Sequence, residues 1–251
     1  MSIYRKFAEV YARGPYIRYN AYTYETFRLL IERYSIPIGS LLDIACGEGT
    51  FALKLAQDHW TVTGIDLSPE MINIAKEKNA DHDIKLQFME MNMSTLEFSN
   101  EFDVVTCWYD SLNYLLSRQE LEQTFQSVFR SLKSKGIFIF DMNTIFSLAV
   151  DWQKLGEYVQ QNSTEVFEVH QPTYDPRFQT ARIQITAFLK RGDFWERIEE
   201  THYERAYPIE CIRDILIKTG FTILDIFGDI RKFTAPEEDT PRIWGIARKN
   251  N

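Results

Sequence analysis

The chain has 251 residues, 45% apolar and 25% charged, which fits one folded domain with an appendage and excludes a mainly disordered, collagen-like or low-complexity polymer. Lys and Arg number 28 against 36 Asp and Glu, a net charge of −8, so the broad positive field that grips phosphate backbones is missing and no nucleic-acid partner is expected. Cys46, Cys107 and Cys211 are scattered, no apolar run is long enough for a bilayer, and the N-terminus lacks a signal-like apolar region, so a cytoplasmic protein without membrane contact or a disulfide framework is expected.

In chain order, residues 1–36 are dense in tyrosine (Tyr4, Tyr11, Tyr16, Tyr19, Tyr22, Tyr24, Tyr34) and read as two helices before Pro37, a helical cap over 1–37. From Leu41 short apolar runs alternate with amphipathic helices. The pattern predicts strand Leu41–Ala45, a helix from Thr50, strand Thr61–Ile65, a helix from Pro69, strands Lys85–Glu90 and Asp103–Thr106, helix Arg118–Leu132 and strand Ile137–Phe140. Ser68 ahead of Pro69 is an N-cap signature, and Ser117-Arg-Gln-Glu120 reads as a capping box. After Asp141 the period falls to two through Ile183, Ile185, Ala187 and Leu189, and the turn at Arg191-Gly-Asp193 leads into a strand Phe194–Tyr207. This is an antiparallel hairpin within an inserted lid spanning 155–207. Helix Pro208–Thr219, strand Phe221–Phe227 and strand Arg242–Arg248 follow. The fold class is thus α/β in a single domain, 1–251: a Rossmann-like, seven-stranded, mostly parallel sheet with a terminal β-hairpin, an N-terminal helical arm and an inserted antiparallel strand lid.

The segment Leu41-Leu-Asp-Ile-Ala-Cys-Gly-Glu-Gly-Thr50, followed by Gly64-Ile-Asp-Leu-Ser68, carries the chemistry. Gly47 and Gly49 stand where a strand turns into a helix, so a ligand can lie against backbone at a helix N-terminus. Asp66 ends the second strand, where a carboxylate can accept both hydroxyls of a ribose. Gly47-x-Gly49-x-x-Ala52 also satisfies a dinucleotide fingerprint, so the glycines alone leave NAD open beside other adenosine cofactors. Asp43 shifts the balance: a carboxylate there repels a diphosphate and attracts the ammonium of an amino acid moiety, which favours S-adenosylmethionine.

With these stretches, and with Asn92-Met93, Phe102-Asp-Val-Val-Thr106, Asp110-Ser-Leu-Asn-Tyr-Leu115 and Leu132-Lys-Ser-Lys-Gly-Ile-Phe-Ile-Phe-Asp141, the chain resembles the class I S-adenosylmethionine-dependent methyltransferases from about Tyr4 to its C-terminus. Within them it is most similar to small-molecule enzymes, amino-sugar N-methyltransferases included. The resemblance implies that backbone at Ala45, Gly47 and Cys107 holds the methionine part, Asp66 the ribose, and Leu67, Met71 and Met93 the adenine. Asn92 stands where the family commonly has Asp beside the adenine amino group. The candidate cofactor-binding set is Asp43, Ala45, Cys46, Gly47, Gly49, Asp66, Leu67, Ser68, Met71, Asn92, Met93, Cys107 and Tyr16.

Tyr11 and His202 are the candidate catalytic groups. Tyr11 lies in an arm expected to fold over the carboxyl ends of the strands, and His202 has the best ordinary pKa for taking a proton from an acceptor. Strand alternation puts Glu200, His202 and Glu204 on one face, and Tyr203, Arg205 and Tyr207 on the other. The histidines show no ligand spacing, so no metal is expected. The expected activity is in-line transfer of a methyl group to N or O of a small molecule. The alternatives are an NAD-dependent oxidoreductase and a non-catalytic S-adenosylmethionine-binding module, and the lid strands offer a face for a homodimer.

Overall fold

In the computed structural model, which describes residues 4–80 and 85–250, two helices, α1 (Phe7–Arg13) and α2 (Ile17–Arg33), precede the first strand. Then β1 (Ser40–Ile44), α3 (Thr50–Gln57), β2 (Thr61–Asp66), α4 (Pro69–Asn79), β3 (Leu86–Glu90), β4 (Phe102–Cys107), α5 (Arg118–Ser131) and β5 (Leu132–Asn143) follow one another as the hydrophobic period predicts. A π-helical turn at Ser147–Asp151 runs into α6 (Trp152–Leu155). Four strands come next: β6 (Tyr158–Asn162), β7 (Val166–Asp175), β8 (Thr180–Arg191) and β9 (Phe194–Arg205). The chain closes with α7 (Ile209–Thr219), β10 (Phe221–Phe227) and β11 (Arg242–Lys249). His82 lies outside the described residues.

The main sheet has the order β10-β11-β5-β4-β1-β2-β3, parallel except for β11, which runs antiparallel to both β5 and β10. One face buries Leu121, Phe125 and Val128 of α5 and Ile212, Ile215 and Leu216 of α7 against Phe138 and Phe140. The other face takes Phe27 and Leu30 of α2, Phe51 and Leu55 of α3, and Ile72 of α4 against Leu41, Ile139 and Ile246. Each fully buried side chain of this size contributes roughly 1.5–3 kcal/mol, so α2 belongs to the helical layer of the core and α1 alone stands apart from it. Helix starts follow the sequence signals. The Ser68 hydroxyl accepts the Met71 N–H at 3.2 Å, and Ser117 and Glu120 form a reciprocal capping box.

The insertion differs from the hairpin expected in it, because β6 and β7 extend it to a four-stranded antiparallel sheet, β6-β7-β8-β9. A hydrophobicity reading misses β7 because that strand turns Glu168 and His170 inward, where a half-buried strand usually carries apolar residues. The inner face of this sheet packs Val166, Ile185, Leu189 and Ile198 against Phe7 and Val10 of α1. Strand β5 also begins earlier than its apolar run, since polar Lys133 to Lys135 sit at a shift of register against β4.

Candidate active site

Strand β1 lies between β2 and β4, and the chain leaves it in one direction to β2 and β3 before crossing back to β4. This reversal opens a crevice at the carboxyl ends of the strands. A cavity of about 440 Å³ occupies it, walled by the β1–α3 turn, the end of β2, the segment after β4, the arm and β9.

The floor is the turn Ala45 to Gly49, in which Ala45, Gly47 and Gly49 all have positive φ, +55°, +54° and +79°. The two glycines are needed for different reasons. A Cβ on Gly49 would stand 2.6 Å from Phe88 and 2.8 Å from Ala75, so Gly49 lets α3 close on α4 and β3 and does not itself line the cavity. A Cβ on Gly47 meets nothing within 4 Å and would project into open space over the turn.

Two carboxylates face this floor. Asp66 accepts the backbone N–H of Gly47 and of Ser68, each at 2.9 Å, so it ties the turn to the end of β2. A carboxylate offers about four acceptor positions, which leaves about two toward the cavity. Burial raises its pKa, opposed by those backbone bonds. Asp43 accepts the Thr106 hydroxyl at 2.8 Å, and burial pushes its pKa up to about 7, with Thr106 lowering and Asp66 raising it.

Leu67, Met71, Asn92 and Met93 line the cavity beside Asp66, as do Ala45 and Cys46. The Asn92 amide oxygen already accepts the Ser94 N–H at 2.9 Å, with a second lone pair free by its chemistry. The Cys46 thiol is raised well above its ordinary pKa by burial and is no thiolate nucleophile. Ser68 and Cys107 do not line the cavity. Ser68 caps α4 and donates to the Tyr4 carbonyl at 2.9 Å, tying the arm to the helix, and the Cys107 side chain is fully buried.

The two aromatic positions expected from the arm separate. Tyr11 lines the cavity, whereas Tyr16 stacks behind it at 4.3 Å and donates its hydroxyl to buried Glu168 of β7. His202 also sits one layer back, 2% exposed, with Nδ1 2.9 Å from the Tyr114 hydroxyl. Burial, then the neighbouring His170, pushes its pKa down to about 4, so the ring is neutral near pH 7. It meets the cavity wall through Tyr114, whose hydroxyl is 3.1 Å from that of Tyr4, and through an edge contact with the Tyr4 ring at 4.8 Å.

Several wall residues escaped the sequence reading. Tyr4, Trp108, Tyr109 and Tyr114 all line the cavity. Their signal is position: Trp108 to Tyr114 follow β4 directly, at the carboxyl edge where open α/β sheets bind ligands. Tyr109 and Asp110 are both left-handed, at φ +57° and +53°, a strain that such sites carry. Asp110 is held by Arg242 at 2.9 Å and by Asn143 at 3.1 Å, and Asn143 also donates to Glu204 at 3.0 Å. Arg242 reaches Asp141 at 3.1 Å. No group of three or more metal-ligand side chains occurs among the described residues.

A family profile described as a methyltransferase domain matches residues 41–136. The chain is 30% identical over 264 residues to "Putative methyltransferase YqeM" of Bacillus subtilis (strain 168), covering 99% of this chain and 98% of that one. Over 112 residues, 45% of this chain and 42% of the relative, it is 30% identical to a dTDP-3-amino-3,6-dideoxy-alpha-D-glucopyranose N,N-dimethyltransferase of Streptomyces fradiae. Among solved structures, an S-adenosylmethionine-dependent methyltransferase from Clostridium acetobutylicum ATCC 824 superposes with a TM-score of 0.84 at 28% identity, with both chains fully covered.

Proposed function

The chain belongs to the class I S-adenosylmethionine-dependent methyltransferases, and from that premise we propose that it methylates the nitrogen of a small-molecule amine held between the β1–α3 turn and the tyrosines of the arm. The observation that carries this reading is the single crevice in which Asp43, Gly47 and Asp66 share a cavity with Tyr4, Tyr11 and Tyr114. The residues fit the cofactor on two counts. The space over Gly47 is open to it, and Trp108 Nε1 is a buried donor in the wall without a hydrogen-bond partner.

In this reading the free acceptor positions of Asp66 take the ribose hydroxyls, and Asp43 faces the ammonium of the methionine part. Leu67, Met71 and Met93 pack on the adenine, with Asn92 at its edge. Ser68 and Cys107 support these groups from behind. The bound cofactor supplies an electrophilic methyl: the acceptor lone pair forms the new bond to carbon while the carbon–sulfur pair departs with sulfur. The protein's part is to align the acceptor and exclude water, and positioning alone is worth roughly 7–11 kcal/mol. Amine nitrogen fits better than hydroxyl oxygen because an amine reacts as its free base, whereas a hydroxyl needs a base in contact with it. His202, buried and held near pKa 4, is a positioning group for Tyr114 rather than that base.

Calorimetric titration with S-adenosylmethionine, S-adenosylhomocysteine and NAD tests the cofactor assignment, with binding expected for the first two only. A mass-spectrometric assay over a panel of amines and phenols tests the acceptor. Methylated phenols without methylated amines would refute the choice of nitrogen.

A further inference from the structure

We infer that the acceptor of this site is an amine that carries no carboxylate or phosphate of its own and is captured as its ammonium ion, the proton leaving to solvent before the nitrogen lone pair takes the methyl group. The inference rests on the methyl-transfer reading above and adds the charge class of the substrate. Its first support is the charge census of the cavity. The charged side chains that line it are Asp43, Glu48, Asp66 and Glu120, and no Lys, Arg or His is among them; with Asp43 and Asp66 given to the cofactor and Glu48 ion-paired with Lys78, Glu120 is the carboxylate left to the acceptor. An anionic acceptor would meet no counter-ion there and would face like charge.

The second support is the aromatic wall. The Tyr4 ring stands edge-on to Tyr11 at 5.6 Å between centroids and lies 6.2 Å from Tyr114, and Tyr11 is 6.4 Å from Tyr109. Four tyrosine rings, packed on one another at these spacings, line one cavity, and the face of a ring is the part that attracts a cation such as an alkylammonium.

The third support lies behind that wall. Asp110, Asp141 and Glu204 form a buried group of carboxyls served by one guanidinium, Arg242, which is paired with two of them. Asp110 acts directly on the wall, where after burial itself its charge helps raise the phenol pKa of Tyr4, Tyr109 and Tyr114, while burial and then Asp110 push the Glu204 carboxyl well above its ordinary range, toward the neutral acid. The nearest imidazole, His202, is neutral near pH 7 and adds no positive charge. The tyrosine rings, the Glu120 carboxylate and a lining without Lys, Arg or His therefore leave the acceptor end with no positive side chain to meet an anion. The Streptomyces fradiae relative is named for a dTDP-linked amino sugar, whose diphosphate this cavity has no cation to meet.

The test is calorimetric titration of the full chain saturated with S-adenosylhomocysteine, at pH 7.5, with four probes of one size class: benzyltrimethylammonium, benzyl alcohol, benzoate and benzyl phosphate. The cation is expected to bind at least tenfold more tightly than each of the other three. Equal or tighter binding of benzoate or benzyl phosphate overturns the inference, and equal binding of benzyl alcohol reduces the wall to apolar packing and overturns it too. Tyr11→Leu is expected to shrink the preference severalfold while melting stays cooperative. If that variant does not fold, Tyr109→Leu serves the same purpose, and an unchanged preference in a folded variant refutes the aromatic contribution. A chain that takes up no S-adenosylhomocysteine would overturn the cofactor reading instead, and the same four probes on the free protein would still decide the sign of the pocket.

Discussion

Lowering the pH from 8 to 6 is expected to weaken cofactor binding through one carboxyl group, Asp43. Burial holds its pKa at about 7, and its hydrogen-bond partner is the Thr106 hydroxyl, which can also donate to the neutral acid. A cation bound beside it favours the ionised form. With that pKa, Asp43 is about nine-tenths ionised at pH 8 and about one-tenth at pH 6, so binding that needs the carboxylate weakens about tenfold across the interval, or about 1.4 kcal/mol. Titration of S-adenosylhomocysteine, which keeps the ammonium, at several pH values measures this slope. Asp43→Asn should bind weakly at every pH and lose the Asp43 part of the slope, and any remaining slope of the same sign belongs to Asp66, whose pKa burial also raises. Wild-type affinity that is flat from pH 6 to 8, or an unchanged slope in Asp43→Asn, would refute the reasoning. The same shift acts on folding. Because the unfolded carboxyl ionises near 3.8 and the folded one near 7, the Asp43 contribution to stability is full below 3.8, declines as pH rises toward 7, and is flat above it. Ligand-free melting temperatures followed from pH 4 to 8 in wild type and Asp43→Asn read that effect.

Asp66→Ala removes both the proposed ribose acceptor and the two backbone bonds to Gly47 and Ser68, so it should weaken S-adenosylmethionine by tenfold or more and lower stability by roughly 1–3 kcal/mol. Calorimetry within about twofold of wild type would sink the ribose role. Gly47→Val and Gly49→Ala form a pair with opposite signatures. The first should abolish binding at a modest conformational cost, and the second should chiefly destabilise, by roughly 1–3 kcal/mol for its positive φ plus its clash with Phe88 and Ala75. Retained affinity in Gly47→Val would show that the cofactor does not cross this turn. Removing residues 1–14 takes away α1 and uncovers Val166, Ile185 and Leu189 while leaving α2 in the core. Cooperative melting should persist and single-turnover methyl transfer should fall much further than stability, whereas equal turnover would deny the arm its roofing role.

The alternation of strands and helices, the caps at Ser68 and Ser117, and the placing of Asp43, Gly47 and Asp66 at strand ends were legible in the amino-acid order, because each depends on residues a few positions apart. Even the pairing of His202 with Glu200 and Glu204 on one face of β9 follows from strand alternation alone. Alternation defines two faces and is silent about which one is covered. That was decided by the arm, which binds Glu200 through backbone N–H groups of Tyr4 and Phe7 and so seals His202 beneath Tyr4 and Tyr114. Tyr11 and Tyr16 look alike in sequence, yet one faces the cavity and the other the interior, because Glu168, 152 residues beyond Tyr16, accepts the Tyr16 hydroxyl. The wall formed by Tyr4, Tyr109 and Tyr114 belongs to the tertiary structure for the same reason. Its members come from the arm and from the segment after β4, over 100 residues away, and only docking of the arm across the sheet ends brings their rings together.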